Sequence, residues 1–215
     1  MEMIRYCKIC GHKTLKIFNK RSGSIYHSCK ACDYIFKDEH FILPAEKEFQ
    51  VYENHNNSIY DPKYVKYFKK FIHSAVLKYC NGKYGLDFGS GPSPVLAMIL
   101  ERDYGFNMDI YDLFYSPKAV YQGKKYDLIT STEVVEHLKD PLFYFKTFKD
   151  CLKKDGLLSI MTLFHPKDYE DFLDWFYIRD MSHISFYTLK TMETIGKKNG
   201  LKVIYSDSER YVSFK

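Results

Sequence analysis

Four of the six cysteines stand in two CxxC pairs near the start of the chain. Cys7 and Cys10 belong to "CKIC", Cys29 and Cys32 belong to "CKAC", and eighteen residues separate the pairs. Two thiolates on one tight turn can span an edge of a tetrahedron, and a second pair supplies the opposite edge. The spacing therefore predicts a zinc site. A complete set of four thiolates leaves no open position for a substrate, so we expect the zinc to be structural.

The sequence also permits other roles for these cysteines. They could form disulfides or remain unligated thiols, and His12 and His27 are near enough in sequence to compete as ligands. Cys80 and Cys151 stand alone and are interpreted as core or surface thiols. Residues 1–40 are too few to bury much apolar surface, so metal binding would supply much of their folding free energy. We predict a zinc ribbon here, with strands near Leu15–Asn19, Ile25–Ser28 and Tyr34–Phe36.

A glycine-containing turn is the second feature that could do chemistry. The stretch "YGLDFGSGPSPVLAMIL", residues 84–100, begins like a strand, passes an acid and two glycines, and ends like a helix. Gly89 and Gly91 would let the backbone approach a ligand closely, and amides at the start of the helix would offer donors. Neither the GK[ST] of a phosphate loop nor the third glycine of GxGxxG follows, so the turn alone is weak evidence.

The elements around this turn alternate between strand and helix. Asp61 and Pro62 predict the start of an entry helix, as N-cap and first helical residue. Six strand-like segments then follow: "YGLDFG", "GFNMDIYD", "KYDLITST", "GLLSIMTLF", "LKVIYSD" and "RYVSFK". Helices between strands predict an α/β fold with a Rossmann-like, doubly wound, mainly parallel sheet, an antiparallel C-terminal edge strand and a small N-terminal zinc ribbon. We divide the chain into a ribbon (1–40), a linker (41–60) and the main domain (61–215).

Polar residues end two of the predicted strands. Asp112 closes the second strand about twenty residues after the glycine turn, where an acid can accept hydrogen bonds from ribose hydroxyls. Asp109 competes for that role, although the alternation of apolar residues favours Asp112. The third strand ends at Ser131, Thr132 and Glu133. Ligands bind at the carboxyl ends of strands in such sheets, so these residues mark a candidate site.

Together these motifs resemble the class I S-adenosylmethionine-dependent methyltransferases. The likeness rests on "DFGSG", the strand-ending acid, "KYDLITSTEVVEHLKDP" and "LKKDGLLSIMT". The chain particularly resembles the subgroup that carries E-V-x-E-H-L after the fourth strand. It covers roughly Tyr60 to the end of the chain, and some members also carry an N-terminal zinc ribbon and a stretch like "WFYIRDMSHISFYT". Ser93 departs from the family, which commonly has a third glycine there. The resemblance implies that the methionine moiety is held by Asp87, Gly89, Ser90 and Gly91, the ribose by Asp112, and that Ser131, Thr132 and Glu133 border the cofactor and the methyl-transfer site.

Methyl transfer from a sulfonium mainly requires alignment, sometimes with removal of a proton from the acceptor. The candidate catalytic residues are His183, His137 and Glu133. His137 is predicted one turn into the helix after the site, where a packing or capping role competes with catalysis. His183 lies in "RDMSHISFYT", where family members carry substrate-covering insertions. An ordinary loop whose aromatic residues cover the sheet would have the same sequence pattern. His55 and Asn56 could fold over the same pocket or form a polar linker.

Composition narrows the function classes. The chain has 215 residues and a formal charge of +5. It has no apolar stretch approaching the ~20 residues of a membrane span and no secretory apolar core. We therefore expect a cytoplasmic protein without membrane contact. The modest charge permits nucleic-acid binding without arguing for it. We predict methyl transfer from S-adenosylmethionine to a small-molecule acceptor. The alternatives are an RNA base methyltransferase that contacts RNA through the ribbon, and a non-catalytic adaptor that only binds the cofactor.

Overall fold

The computed structural model describes residues 4–52 and 58–215. His55 and Asn56 lie outside the described residues. The strands are β1 Leu15–Phe18, β2 Ile25–Ser28, β3 Ile35–Lys37, β4 Tyr84–Phe88, β5 Asn107–Tyr111, β6 Tyr126–Thr132, β7 Leu152–Met161, β8 Ser185–Phe186, β9 Val203–Ser206 and β10 Tyr211–Phe214. The α-helices are α1 Ala45–Tyr52, α2 Pro62–Phe71, α3 Val95–Tyr104, α4 Pro141–Cys151, α5 Tyr169–Asp174 and α6 Leu189–Lys198.

The main sheet has the strand order β5-β4-β6-β7-β10-β9. Strands β5, β4, β6 and β7 are parallel neighbours. Strand β10 runs antiparallel to β7 on one side and to β9 on the other, so an antiparallel pair completes one edge. The predicted α/β class, with a mainly parallel sheet and antiparallel C-terminal strands, is confirmed.

Helices cover both faces of this sheet, as the doubly wound fold requires. Phe68 and Phe71 of α2 share one buried cluster with Ile99 and Leu100 of α3. On the other face, aromatic residues of α4 join the cluster that contains Ile195 of α6. Strands buried from both sides place their carboxyl ends, and the loops that follow them, at one edge of the sheet.

Local sequence explains where the helices begin. The Asp61 side chain accepts the Lys63 amide and Pro62 occupies the first helical turn, as predicted. Asp140 caps α4 through the Phe143 amide, with a proline again in the first turn. None of the helices in residues 4–52 and 58–215 is long and apolar enough to cross a membrane.

The ribbon forms a second sheet, and this sheet is shared with the main domain. Its strand order is β1-β2-β3-β8, so the fourth strand comes from the segment after α5. All three predicted ribbon strands are present. The segment predicted as an irregular linker contains helix α1, whose Phe49 ring lies 5.2 Å from that of Phe114. Helix α1 therefore packs beside the loop that follows β5.

Candidate active site

The glycine turn has the backbone geometry that its sequence predicts. Gly89 and Gly91 have φ values of +86° and +68°, the left-handed region that other residues rarely adopt. A Cβ on Gly89 would lie 2.2 Å from a methyl of Val134, so close packing also requires glycine there. The amides of Gly89 and Ser90 donate to the Tyr111 carbonyl at 2.7 and 3.1 Å. These bonds attach the turn after β4 to the end of β5.

Asp112 joins the glycine turn to its neighbouring loop. Its Oδ2 accepts the Gly91 amide at 2.9 Å, and its Oδ1 accepts the amides of Phe114 and Tyr115 at 2.9 and 3.0 Å. A carboxylate offers about four lone-pair positions, so about one remains for a ligand hydroxyl. The side chain is buried and lines the cavity described below.

Asp87 lies beneath the same turn. It is 2% exposed, and Thr130 Oγ1 donates to its Oδ1 at 2.9 Å. Burial raises the pKa of Asp87 to about 7, and the nearby Asp112 carboxylate acts in the same direction. A nearby cation would favour the ionised form of this carboxyl.

One cavity of about 870 Å³ connects the glycine turn with the two candidate histidines. Nine of the ten residues predicted for the cofactor and catalytic roles line it: Asp87, Gly89, Ser90, Gly91, Asp112, Thr132, Glu133, His137 and His183. The tenth, Ser131, is fully buried and is not among the lining residues. Successive side chains of a strand point to opposite faces, so Ser131 lies away from the cavity that its neighbour Thr132 lines.

Glu133, which lines this cavity, is held in a strained conformation. Its φ of +54° is unusual for a residue with a Cβ and costs about 1–2 kcal/mol. Tyr67 donates to its Oε1 at 2.7 Å, and Tyr177 donates to its Oε2 at 2.8 Å. The surrounding contacts therefore fix both carboxylate oxygens, as is common for strained residues at functional sites.

Tyr177 also contacts a second, deeper carboxyl group. Its hydroxyl lies within hydrogen-bonding distance of Glu136 Oε1, and Glu136 is fully buried. Burial, reinforced by the charge of Glu133, raises the pKa of Glu136 well above its usual range. Because one hydroxyl has one proton, Tyr177 cannot donate to both carboxyls at once. A proton on Glu136 would let this acid donate to Tyr177 while Tyr177 donates to Glu133.

His183 is buried and has a defined tautomer. Its Nδ1 lies 2.8 Å from the Tyr177 carbonyl oxygen, which can only accept, so Nδ1 carries the proton and Nε2 carries the lone pair. Nε2 lies 3.7 Å from Asp180 Oδ2. Burial lowers the pKa of His183, although Asp180 opposes this shift. The ring is therefore neutral near pH 7 and can accept a proton beside a carboxylate.

His137 lies next to His183, with ring centroids 4.8 Å apart. Its Nδ1 is 3.1 Å from the Ser182 carbonyl oxygen, which fixes this ring in the same way. The prediction that His137 stands one turn inside a helix is wrong: it ends the short 3₁₀ turn Val135–His137, and α4 begins at Pro141. The proline and its Asp140 cap place the helix start four residues later than His137.

Sequence reasoning did not assign roles to several residues of this site. These residues are Tyr67, Glu136, Tyr177 and Asp180. An acid three residues after Glu133 was the available signal, because both carboxyls can then lie on one turn. Their partners come from distant segments, which no local pattern marks.

The four paired cysteines converge in the ribbon. Cys7 Sγ lies 3.6 Å from Cys32 Sγ, and Cys10 Sγ lies 3.3 Å from Cys29 Sγ, far beyond a disulfide bond of about 2.05 Å. All four sulfur atoms lie within 4.8 Å of one another. Tetrahedral zinc with Zn–S of about 2.3 Å places its sulfur atoms about 3.8 Å apart, so the donor set fits one such ion. The alternative ligand His27 bonds instead to Asp38 Oδ2 at 2.7 Å.

Comparison with known proteins decides the family. A family model described as "Methyltransferase domain" matches residues 60–206, which include the glycine turn, Asp112 and both histidines. The chain belongs to the methyltransferase-domain family. Its fold is that of the class I S-adenosylmethionine-dependent methyltransferases, as the motifs predicted.

The curated proteins similar to this chain include two enzymes named ubiquinone biosynthesis O-methyltransferase. The one from Dinoroseobacter shibae is 35% identical over 79 residues, covering 37% of this chain and 31% of the relative. The one from Pelagibacter ubique is 33% identical over 96 residues, covering 41% of this chain and 40% of the relative. The matches thus span about a third to two-fifths of the relatives' lengths.

Two solved methyltransferase structures share the fold. A mitomycin 7-O-methyltransferase aligns with a TM-score of 0.55 and 12% identity, covering 78% of this chain and 60% of that one. An O-methyltransferase family protein from Burkholderia thailandensis aligns with a TM-score of 0.56 and 12% identity, covering 73% and 60%. At a sequence identity this low, the structural likeness shows only that the fold is shared.

The cavity fits the cofactor of this family. Ser90 Oγ is buried at the glycine turn and has no hydrogen-bond partner among the described residues. Asp112 keeps about one acceptor position, and a cation would favour the ionised form of Asp87. A ligand with hydroxyl groups and a positive charge would satisfy all three.

Proposed function

We propose that this protein transfers the methyl group of S-adenosylmethionine to a hydroxyl oxygen of a small planar molecule. The observation that carries the proposal is the single cavity that joins the glycine turn to the buried His183. Its volume of about 870 Å³ falls within the range usual for small-molecule sites. The curated relatives are named O-methyltransferases, which supports oxygen as the acceptor atom.

The glycine turn and its neighbours would hold the cofactor. When bound, S-adenosylmethionine supplies a methyl group on a positively charged sulfur. Gly89 and Gly91 let the backbone approach it, Ser90 Oγ supplies an unused hydrogen-bonding group, and Asp112 accepts one ribose hydroxyl. Asp87 contributes negative charge beneath the turn once it is ionised.

The acceptor would lie between Glu133 and the histidine pair. Aromatic side chains line the cavity, including Tyr64, Tyr67, Phe143 and Tyr144. Flat, rigid walls of this kind favour a planar ligand. Glu133 is fixed by two tyrosines and would orient an acceptor hydroxyl group.

His183 would act as the general base. Its Nε2 would take the proton of the acceptor hydroxyl, so that the oxygen could bond to the methyl carbon as the carbon–sulfur bond breaks. The products are a methylated oxygen, S-adenosylhomocysteine and a proton on His183, which Asp180 stabilises until solvent removes it. His137 packs against this ring and would limit its rotation.

The four paired cysteines would hold a zinc ion. Four converging thiolates and a closed coordination sphere favour a structural zinc ion. The ion supports folding and takes no part in methyl transfer.

The decisive experiment follows labelled methyl groups from S-adenosylmethionine into a fractionated lysate. Label in the small-molecule filtrate, on oxygen by mass spectrometry, supports the proposal. Label that ribonuclease releases from a macromolecule would identify an RNA methyltransferase instead. Cofactor binding without transfer into any fraction would identify a non-catalytic adaptor.

A further inference from the structure

The metal-binding ribbon is continuous with the loop that carries His183. Strand β3 pairs antiparallel with β8, with Ile35 opposite Phe186 and Phe36 opposite Ser185. The buried Tyr34 hydroxyl lies 2.8 Å from Ser185 Oγ, which donates to the Leu138 carbonyl. The ribbon thus contacts the loop that carries His183 directly, and the loop that carries His137 through Ser185.

A chain of backbone bonds extends this contact into the site. The Lys37 amide donates to the Ile184 carbonyl at 2.9 Å, and the Ile184 amide donates to the Glu136 carbonyl at 2.8 Å. Ile184 follows His183 directly, and Glu136 precedes His137. One backbone hydrogen bond therefore joins the end of β3 to the His183 loop, and a second joins that loop to the turn with His137.

Lys37 is the unexpected residue in this contact. It is 1% exposed, although burying an ammonium group is costly unless it is well bonded. Its Nζ donates to the Met181 carbonyl at 2.8 Å. Burial lowers the pKa of Lys37 to about 8, with the nearby Asp180 carboxylate opposing the shift. At neutral pH, Lys37 is therefore a buried cation in most of the protein molecules.

Met181 lies inside a tight turn formed by Asp180 and His183. Asp180 Oδ1 accepts the Ser182 amide at 2.9 Å, and the Asp180 carbonyl accepts the His183 amide at 3.2 Å. A bond to the Met181 carbonyl consequently constrains the whole turn, including the 3.7 Å approach of Asp180 to His183 Nε2.

The cysteine cluster stands at the opposite end of β3. Cys29 and Cys32 form the turn between β2 and β3, where the Cys29 amide donates to the Tyr34 carbonyl at 2.9 Å. Thr191 of α6 donates to the Cys32 carbonyl at 2.8 Å. Lys37 stands five positions after Cys32, and none of the four cysteines lines the cavity.

We propose that strand β3 of the ribbon is a positioning element for the acceptor site: Lys37 holds the Asp180–His183 turn through the Met181 carbonyl, and the metal-binding cysteines keep β3 in place. The proposal rests on the proposed role of His183 in methyl transfer. It assigns the ribbon an intramolecular role at the active site.

The test compares the metal-loaded 215-residue chain carrying Lys37→Met with the same chain without the substitution, by hydrogen exchange. Methionine keeps the length of the side chain and removes the donor. We expect amides of residues 180–186 to exchange about tenfold faster, while S-adenosylhomocysteine binds within about twofold of wild type. Lys37→Arg should restore part of the protection, and the exposed Lys20→Met should change nothing. Unchanged exchange in Lys37→Met, or equal acceleration in β6, would overturn the proposal.

A second readout follows the electrostatic effect of Lys37 on His183, whose pKa is lowered mainly by burial. Six charged or titratable groups face His183: Asp180, Lys37, Tyr177, Glu133, Glu136 and His137. The Lys37 cation lowers the pKa of His183, so Lys37→Met should raise it and Lys37→Arg should not. A titration of the imidazole by NMR measures this directly. An unchanged or lowered pKa in Lys37→Met would contradict the proposed contact.

Metal removal tests the other end of β3. After chelation, amides of both β3 and residues 180–186 should exchange faster, and restoring zinc should reverse both changes. Faster exchange in the ribbon with an unchanged 180–186 turn would overturn the role of the metal. None of these measurements needs turnover, so their outcome is independent of whether the acceptor has been identified correctly.

Discussion

The Asp112 carboxylate accepts the Gly91 amide at 2.9 Å and thereby connects the end of β5 to the glycine turn after β4. The two residues belong to separate loops, yet both line the same cavity. The acid therefore shapes the turn as well as offering an acceptor to a ligand.

Asp112→Asn should weaken cofactor binding and destabilise the protein. Asparagine has one oxygen, so it cannot accept all the amides that Asp112 now accepts through two. Leaving a buried amide unpaired costs about 1–3 kcal/mol. Calorimetry with S-adenosylmethionine and urea unfolding measure the two effects. The exposed Asp155→Asn is a matched control, and an Asp112→Asn protein with wild-type affinity would contradict the role.

Cofactor affinity should increase with pH around neutrality. The pKa of Asp87 is raised to about 7 by burial, so the carboxyl is largely neutral at pH 6 and ionised at pH 8. The ionised form attracts the cationic cofactor, and affinity should fall by up to about tenfold per pH unit below the pKa. Asp87→Asn should remove most of this dependence. Wild-type affinity that is flat from pH 6 to 8 would contradict it.

His183→Gln should reduce turnover without loss of cofactor binding. Removing a general base typically lowers the rate by about 10²–10⁴-fold. In wild type the rate should rise with pH and level off, with its midpoint below the ordinary histidine pKa of about 6.5, because burial lowers the pKa of His183. Steady-state kinetics with the identified acceptor tests both statements. The exposed His12→Gln is the control, and a fully active His183→Gln would exclude the base.

Glu136→Gln should make stability less dependent on pH. Burial raises the pKa of Glu136, so the folded state retains a proton that the unfolded state loses above about pH 4.3. The free energy of unfolding should therefore fall as pH rises from about 5 to 8, and less so in the variant. Urea unfolding across this range measures the slope. The exposed Glu193→Gln should keep the wild-type slope, and an identical slope in Glu136→Gln would argue against the protonated acid.

The cysteine cluster should bind one zinc ion per chain. Cys29→Ser should abolish binding and lower the melting temperature, since Cys29 and Cys32 also belong to a buried cluster that extends into the main domain. Metal analysis by mass spectrometry and thermal unfolding measure these effects. Cys80→Ser should retain the metal. A metal-free wild-type protein after expression in zinc-supplemented medium would contradict the assignment.

Much of the framework was predictable because its signals are local. The CxxC spacing, the Asp61–Pro62 helix start and the positive φ of Gly89 and Gly91 each depend on a few neighbouring residues. The alternation of strands and helices likewise predicted the sheet. By itself, then, the sequence determined the fold class, the clustering of the four paired cysteines and the turn at the candidate cofactor site.

Only the tertiary structure decided how these parts meet. Tyr34 bonds to Ser185 across 151 positions of the chain, and Lys37 reaches Met181 across 144. Tyr177 lies between two carboxyls that sit 44 and 41 positions away. Such pairings depend on the packing of whole sheets and loops, which periodicity does not encode. For the same reason a ribbon that looks separate in sequence shares a sheet with the loop that carries His183.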